Sequence, residues 1–302
     1  MSAAALIAID WGTSSFRASL LDRDGAALDR IDAAEGIRAV PDRNFDTAFH
    51  RLLGPWIERH PVPILASGMI TSRNGWIETP YLGLPAGARE LAGALARHET
   101  RGTLLHFVTG LADDRPGRAP EIMRGEETEI VGALASGSGD GLFVLPGTHS
   151  KWATVAESRV TGFATYMTGE IHAALRGHTI LGALMQPGPF AEDALLRGVE
   201  QGLSAGPALL NRLFHVRTLT LFGRLAPEEA SDFLSGLLIG SEIAAALDVA
   251  SADAPVTLVG RSDLASRYET ALKAAGRPCR RAAPDLAARG LLEIARMAEL
   301  LK

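Results

Sequence analysis

The chain has 302 residues, 47% of them apolar, and a formal net charge of −5, which allows one large or two medium domains with an ample core. The acidic balance and the lack of any Lys/Arg run exclude a nucleic-acid track, and no apolar run approaches the roughly 20 residues that span a bilayer. The single Cys279 excludes an internal disulfide and a cysteine metal cluster, and no basic segment precedes an apolar one at the start, so the expectation is a cytoplasmic protein with no signal peptide and no membrane partner.

Leu6-Ile7-Ala8-Ile9 predicts a buried strand, and Asp10-Trp11-Gly12-Thr13-Ser14-Ser15 the turn after it. Phe16 to Leu21 is the return strand, followed by the turn signal Asp24-Gly25. Gly12 admits close backbone approach, and Thr13, Ser14 and Ser15 add N–H and hydroxyl donors. The tip is either an ordinary polar hairpin end or a phosphate cradle, with Asp10 placed to hold magnesium through water. Ala26 to Ala34 predicts a third strand, and Phe45 to Glu58 a helix with apolar residues at Phe49, Leu52, Leu53, Trp56 and Ile57. Pro63 to Gly68 reads as a short buried strand. It leads into a loop, Met69 to Tyr81, whose donors and aromatics favour binding over simple connection. Ala88 to Arg97 predicts a helix, Thr103 to Thr109 a strand and Ala112 to Pro120 a polar loop. A helix then opens at Gly125 with Glu126, Glu127 and Glu129 in its first turn, where acids also serve the helix dipole.

Ser136 to Gly141 reads as a domain junction, and beyond it the opening plan returns. Laid on the first hairpin without a gap, Gly141 to Ala153 matches Gly12 with Gly147, Thr13 with Thr148 and Ser15 with Ser150. Asp10 falls on Leu145, so only the first loop keeps a carboxylate for a metal. Phe163 to Met167 predicts a strand and Thr168-Gly169-Glu170 the start of a helix, with Thr168 a candidate cap. Helices follow over Phe190 to Gln201, Pro207 to Phe214 and Pro227 to Ala250. Val256 to Val259 is a buried strand running into a turn at Gly260-Arg261, a pattern that can lie against adenine. Leu264 to Ala275 is the next helix. Cys279 sits among basic residues on a further strand, as a structural thiol or one of lowered pKa. The expected division is residues 1–137 and 141–284, with a last amphipathic helix over 285–302 returning to the first domain.

These motifs, in this order, resemble the superfamily of acetate and sugar kinases, actin and heat-shock chaperone ATPases. The closer resemblance is to the 2-dehydro-3-deoxygalactonokinase family. It is carried by Ile9 to Arg17, Ser67-Gly68-Met69-Ile70-Thr71-Ser72, Met123-Arg124-Gly125-Glu126-Glu127-Thr128-Glu129, Leu145 to Trp152 and Met167-Thr168-Gly169-Glu170. The fold implied is α/β: two ribonuclease H-like, actin-like ATPase domains facing each other across a nucleotide cleft. The activity implied is transfer of the ATP γ-phosphoryl to the 6-hydroxyl of 2-dehydro-3-deoxy-D-galactonate, with Mg2+.

The resemblance also assigns residues. Asp10 would hold magnesium, and Gly12 to Ser15 with Gly147, Thr148, His149 and Ser150 the phosphates. Lys151 would reach a phosphate or form a rim salt bridge, and His149 would touch ligand or pack. Gly260 and Arg261 would lie near adenine or ribose. Related sugar kinases carry a Gly-Asp pair on a helix ahead of the second hairpin. Gly125-Glu126 takes that place here, which makes Glu126 the implied base, with Asp10 and Glu127 as alternatives. Loop chemistry gives Arg17 or Arg73 the acceptor carboxylate and adds Trp11, Gly68, Met69, Ser72, Asn74 and Trp76 as acceptor contacts. The expected partners are ATP and a small sugar acid, with the oligomeric state open. The rivals are a kinase for another sugar acid, such as 2-dehydro-3-deoxygluconate, and a nucleotide-gated binding module of the actin or chaperone kind. No Walker P-loop occurs, and the eight histidines form no zinc-like spacing.

Overall fold

The computed structural model describes residues 3–251 and 253–301. Its contacts divide the chain into two units. Unit 1 holds the residues up to Asp140, Thr154–Phe163 and those from Ala283 onward; unit 2 holds Gly141–Ala153 and Ala164–Ala282.

Unit 1 opens with β1 (Ala4–Trp11), β2 (Phe16–Asp22) and β3 (Ala27–Ala33), a meander of antiparallel pairs. The helix α1 (Phe45–Arg59) then returns the chain to β4 (Ile64–Ser67), parallel to β1. After β5 (Leu82–Gly83) and the short α2 (Ala88–Gly93) come β6 (Ala96–Thr100) and β7 (Thr103–Phe107). The main sheet is ordered β3-β2-β1-β4-β7-β6. β8 (Leu111–Asp113) and β9 (Glu121–Met123) pair beside β5 in a small second sheet. They precede α3 (Glu126–Ala135).

β1 is apolar over most of its length because both of its faces are covered. α1 supplies Phe49, Leu53 and Trp56 to one core cluster with Ile7, Ile9 and Trp11. The last helix, α9 (Leu286–Met297), packs on β1 and on α3. At the α3–α9 crossing an added Cβ on Gly132 would run into the Leu286 carbonyl, and one on Gly290 into that of Thr128. Only glycine lets these helix backbones touch.

Unit 2 repeats the order. Its sheet reads β12-β11-β10-β13-β14, built from β10 (Gly141–Leu145), β11 (Ser150–Ala156), β12 (Arg159–Tyr166), β13 (Val256–Leu258) and β14 (Cys279–Arg281). β13 runs parallel to both β10 and β14. A meander followed by parallel strands on the far side of the first strand is thus the plan of both units. The helices are α4 (Thr168–His178), α5 (Glu192–Leu203), α6 (Leu209–Leu221), α7 (Ala230–Val249) and α8 (Ser262–Ala274). By length and composition α7 alone among the described helices could cross a membrane, but 67% of its apolar window is buried inside the protein. Its main partner is α5, along a seam of Gly198, Gly202, Gly236 and Gly240, each facing backbone of the other helix.

Three expected elements differ. The predicted helix 88–97 stops at Gly93, and Arg97 lies in β6. Arg101 and Gly102, at φ of 46° and 77°, form the tight β6–β7 turn that a search for Asn-Gly or Asp-Gly misses. The predicted loop 112–120 begins inside β8, where buried Asp113 pairs with Arg115 and Arg118. Thr168 does not cap α4, whose N-cap is Met167; it interacts favourably with the Glu242 carboxylate instead.

The glycine seams give a stability prediction. Gly236→Ala drives a methyl into the Leu195 carbonyl and should lower stability in chemical denaturation by about 1–3 kcal/mol. Gly177→Ala, in open space on α4, should raise it by up to about 1 kcal/mol. Equal effects at the two positions would contradict the packing account.

Candidate active site

In unit 1 three chain segments meet at one point. Asp10, the residue before the last of β1, lies directly opposite Ser67 at the end of β4. Gly68 follows at φ 90°, so close that an added Cβ would lie 3.1 Å from Asp10 Oδ1 and 3.0 Å from the Trp11 carbonyl. Gly125, at φ 110°, caps α3, and a Cβ there would lie 3.4 Å from the Gly68 Cα. No side chain separates the three backbones, so the first turn of α3 is brought up to Asp10. That turn organises itself. The Glu126 carboxylate accepts the Arg124 N–H at 2.9 Å, and the Glu127 carboxylate accepts the Gly125 N–H at 2.7 Å. Thr128 Oγ1 donates to the Gly125 carbonyl at 2.6 Å. Anions at a helix N-terminus are stabilised by its free N–H groups and dipole.

Charge accumulates here. Burial raises the Asp10 pKa, Arg17 at 3.5 Å opposes the rise, and Glu126 adds to it. Glu129, one turn past Glu126, is pushed up to about 8 by burial and then by Asp10 and Glu126. Glu127, 1% exposed, is pushed up to about 8 by burial and by Glu126. Asp10 keeps 27% of its side chain open. A partly open carboxylate among further acids suits a hard divalent cation. Among the described residues no group of three or more His, Cys, Asp or Glu forms a protein cage. One carboxylate, waters and phosphate oxygens is how magnesium is usually held, so the donor set fits Mg2+. Glu129 was missed in the sequence, although its i+3 spacing from Glu126 puts both on one helix face.

The first hairpin tip closes with the Gly12 N–H on the Ser15 carbonyl at 2.9 Å. The 36–38 segment braces it: the Ile37 N–H reaches the Gly12 carbonyl at 2.9 Å, and an added Cβ on Gly36 would strike the Thr13–Ser14 backbone. Ser14 is exposed and Thr13 and Ser15 partly so. Arg17 spans Asp10 and Asp32, the latter at 3.7 Å. Trp11, expected to touch the acceptor, is instead 1% exposed in the core, edge-on to Phe16 and Phe45, with Nε1 donating to the Glu35 carbonyl at 2.9 Å.

The long loop after Gly68 is more packed than its composition suggests. Trp76, partly buried, packs against Phe49, His98 and Phe107. Met69 packs against the same core, and Ser72 Oγ donates to the Met69 carbonyl at 2.7 Å. Arg73 and Asn74 are the exposed tip, held from beneath by Arg43 on the Arg73 and Gly75 carbonyls. Arg124, which sequence reasoning passed over, bolts the loop to α3. Its Nη1 donates to Thr71 Oγ1 at 2.6 Å and Thr79 Oγ1 at 2.7 Å, and its guanidinium stacks on Tyr81.

In unit 2 the second hairpin tip is joined to the start of α4. The Glu170 N–H donates to the Thr148 carbonyl at 3.0 Å, and an added Cβ on Gly169 would strike the Gly147 carbonyl. His149 Nε2 lies 2.6 Å from Glu170 Oε2, with both side chains about half exposed. Two expectations are corrected. Ser150 is fully buried, its hydroxyl on Tyr268 OH at 2.8 Å, so only its backbone faces the tip. Lys151 is 5% exposed, with Nζ donating to Thr165 Oγ1 at 3.1 Å, and does not extend from the rim. Gly260 takes φ 136° beside Pro146. Arg261, paired with Asp263 at 2.9 Å, lines a pocket of about 400 Å³ together with Gly147, Gly169, His172, Asp232 and Tyr268. Arg267 also lines it, held by Asp232 at 2.6 Å and stacked on Phe190. Arg261 and Gly147 lie in motifs read from the sequence, whereas His172, Asp232, Arg267 and Tyr268 come from α4, α7 and α8 and no local motif announces them.

Comparison with known proteins agrees with this geometry. The family model for 2-keto-3-deoxy-galactonokinase matches residues 10–294. A Rhizobium meliloti (strain 1021) protein provisionally named 2-dehydro-3-deoxygalactonokinase is 39% identical over 95% of each chain. The 2-dehydro-3-deoxygalactonokinase of Escherichia coli (strain K12) is 36% identical over 89% of this chain and 90% of its own. A crystal structure from Sinorhizobium meliloti, provisionally assigned to the same kinase, superposes with a TM-score of 0.90 at 38% identity, covering 96% of this chain and 98% of that one. The fold is that of the actin-like ATPases and sugar kinases, and the chain belongs to the 2-keto-3-deoxy-galactonokinase family.

Proposed function

We propose that this chain is an ATP-dependent, cytoplasmic 2-dehydro-3-deoxygalactonokinase that transfers the γ-phosphoryl group to the 6-hydroxyl of 2-dehydro-3-deoxy-D-galactonate. Membership of the family over residues 10–294 supports the reaction. The observation that carries the chemistry is the meeting of Asp10, Gly68 and Gly125-Glu126. Phosphoryl transfer asks the protein for alignment, charge neutralisation and a proton acceptor, and these groups supply such parts.

Glu126 is the proposed base. It is only partly buried and held by the Arg124 N–H, so an oxygen remains for the acceptor hydroxyl. Glu127 is excluded from that contact, because its carboxylate is 1% exposed and engaged by the Gly125 N–H. Asp10 would hold magnesium, which when bound neutralises phosphate charge. The braced tip Gly12–Ser15 offers its N–H groups and hydroxyls to phosphate oxygens. Arg17, within 3.5 Å of Asp10, belongs to the reacting end of the acceptor. Its carboxylate lies at the other end of a six-carbon chain, which leaves the exposed Arg73 to pair with it and Asn74 to contact hydroxyls. In unit 2 the Gly147–Ser150 tip offers N–H groups to phosphate, and the 400 Å³ pocket lined by Arg261 and Arg267 takes adenosine.

The product tests the reading directly. After incubation with magnesium-ATP and the sugar acid, 31P and 13C spectra should show phosphorus coupled to C6; phosphorus on another carbon, or no product, would overturn it. Glu126→Gln should lower kcat by about 10²–10⁴-fold, the usual contribution of a general base, with ATP affinity within about twofold by calorimetry. Near-normal turnover would remove Glu126 from the mechanism. Glu127 gives a pH prediction. Its folded pKa of about 8 lies above the ordinary 4.5, so the fold favours the protonated form. That contribution is complete below pH 4.5 and is lost as pH rises through 8. Glu127→Gln stays neutral, so its melting temperature should gain on the wild type as pH rises from 4.5 to about 8 and then level off, a window set by that shift. Parallel curves would contradict the assignment.

A further inference from the structure

Behind the second hairpin lies a closed polar network that phosphate binding does not itself require. Ser150 on β11, Tyr268 on α8 and Glu242 on α7 are 0%, 1% and 3% exposed. Tyr268 OH donates to Glu242 Oε2 at 2.7 Å, and Trp152 Nε1 to Glu242 Oε1 at 2.7 Å. Thr168, the first residue of α4, also interacts favourably with the same carboxylate. Indole N–H can only donate, and the Tyr268 proton is committed to Glu242. The Tyr268 oxygen is left to accept, and the Ser150 hydroxyl at 2.8 Å donates to it. β11 and α8 are thereby fixed to one buried carboxylate on α7. Burial pushes that carboxylate's pKa up, while its polar neighbours, Trp152 and Tyr268 among them, pull it down.

We infer that Tyr268 and Glu242 are positioning residues for the second phosphate hairpin, tying the Ser150 end of its tip to the pocket beside it. Tyr268 belongs to both features, since it lines the 400 Å³ pocket and its hydroxyl holds Ser150. Ser150 is the last residue of the tip, so its anchor sets where the N–H groups of Thr148, His149 and Ser150 point. The same carboxylate interacts favourably with Thr168 at the start of α4, whose Glu170 N–H grips the Thr148 carbonyl. Glu242 thus bears on both ends of the tip. Neither residue touches phosphate; each acts through Ser150 or α4. This inference rests on the reading of the pocket as the adenosine site.

Calorimetry with ATP and with adenosine on the full chain tests it, alongside steady-state kinetics. Tyr268→Phe keeps the ring in the pocket and removes only the hydroxyl. Its ATP affinity should fall about tenfold, the scale of one positioning hydrogen bond, while adenosine affinity stays within about twofold. Ser150→Ala, which leaves the Tyr268–Glu242 bond intact, should show the same split, and the double variant should be no worse than the worse single. Glu242→Gln should show a smaller split than Tyr268→Phe, because the amide N–H donates to the Tyr268 oxygen and the Tyr268 proton then passes to Ser150 Oγ, which keeps that bond with its direction reversed. Equal weakening of ATP and adenosine, or no weakening in Ser150→Ala, would overturn the positioning role and leave the pocket assignment standing. A wild-type chain that binds ATP but not adenosine would overturn the pocket assignment, and the inference with it.

Discussion

Two backbones can approach a carboxylate this closely only where they carry no side chains, and the active site of unit 1 depends on that constraint. Gly68 and Gly125 both take positive φ and lie against each other beneath Asp10. A Cβ at Gly68 would strain the backbone and press on Asp10. The gain is that the free N–H groups at the start of α3 and the acids Glu126, Glu127 and Glu129 reach the end of the parallel strands. Crowding acids where burial already disfavours charge is unfavourable for folding, and the raised pKa values of Asp10, Glu127 and Glu129 express it. An active site that binds a divalent cation and polyphosphate offsets that strain when its ligands arrive.

The two units use one topology for different ends. Both have a meander whose first hairpin tip offers a glycine and hydroxyl residues, followed by parallel strands on the other side. In unit 1 the strand carries Asp10 next to its last residue and the tip is braced by Gly36 and Ile37. In unit 2 the corresponding residue is Leu145, and the tip is braced by α4 and by the buried Ser150–Tyr268–Glu242 network. The proposed function gives metal chemistry to the first and nucleotide seating to the second. Close helix packing is the common support. Gly132 with Gly290 lets α9 hold α3, and four glycines let α5 hold α7, the helix that carries Glu242.

The strands, the long helices and the hairpins were legible because each is a local pattern: an apolar run, a 3.6-residue period, a Gly-Thr-x-Ser tip. The helix start that carries Glu126 was legible as a local pattern, while its role as base came from the family resemblance. Trp11 was misread because β1 is covered on both faces, so alternation says nothing about which side a residue takes, and a Trp beside donors looks the same packed or open. Ser150 and Lys151 were misread because a hydroxyl or an ammonium beside a glycine tip is equally consistent with facing inward, and burial here comes from helices over a hundred residues away in the chain. Of the pocket proposed for the nucleotide only Gly147 and Arg261 were legible as site residues: His172, Asp232 and Arg267 converge only after α4, α7 and α8 have packed. Glu129 and Arg124 were visible as residues, but their roles rest on contacts with Asp10 and with the loop over 71–81 that sequence spacing does not reveal.

The most direct test of the account is initial-rate ADP release from magnesium-ATP across a panel of acceptors: 2-dehydro-3-deoxy-D-galactonate, its gluconate epimer, galactonate and plain hexoses. The account predicts turnover that requires the acceptor and is strongly selective for the first. ADP release that is independent of every sugar acid, or faster with a plain hexose, would contradict it.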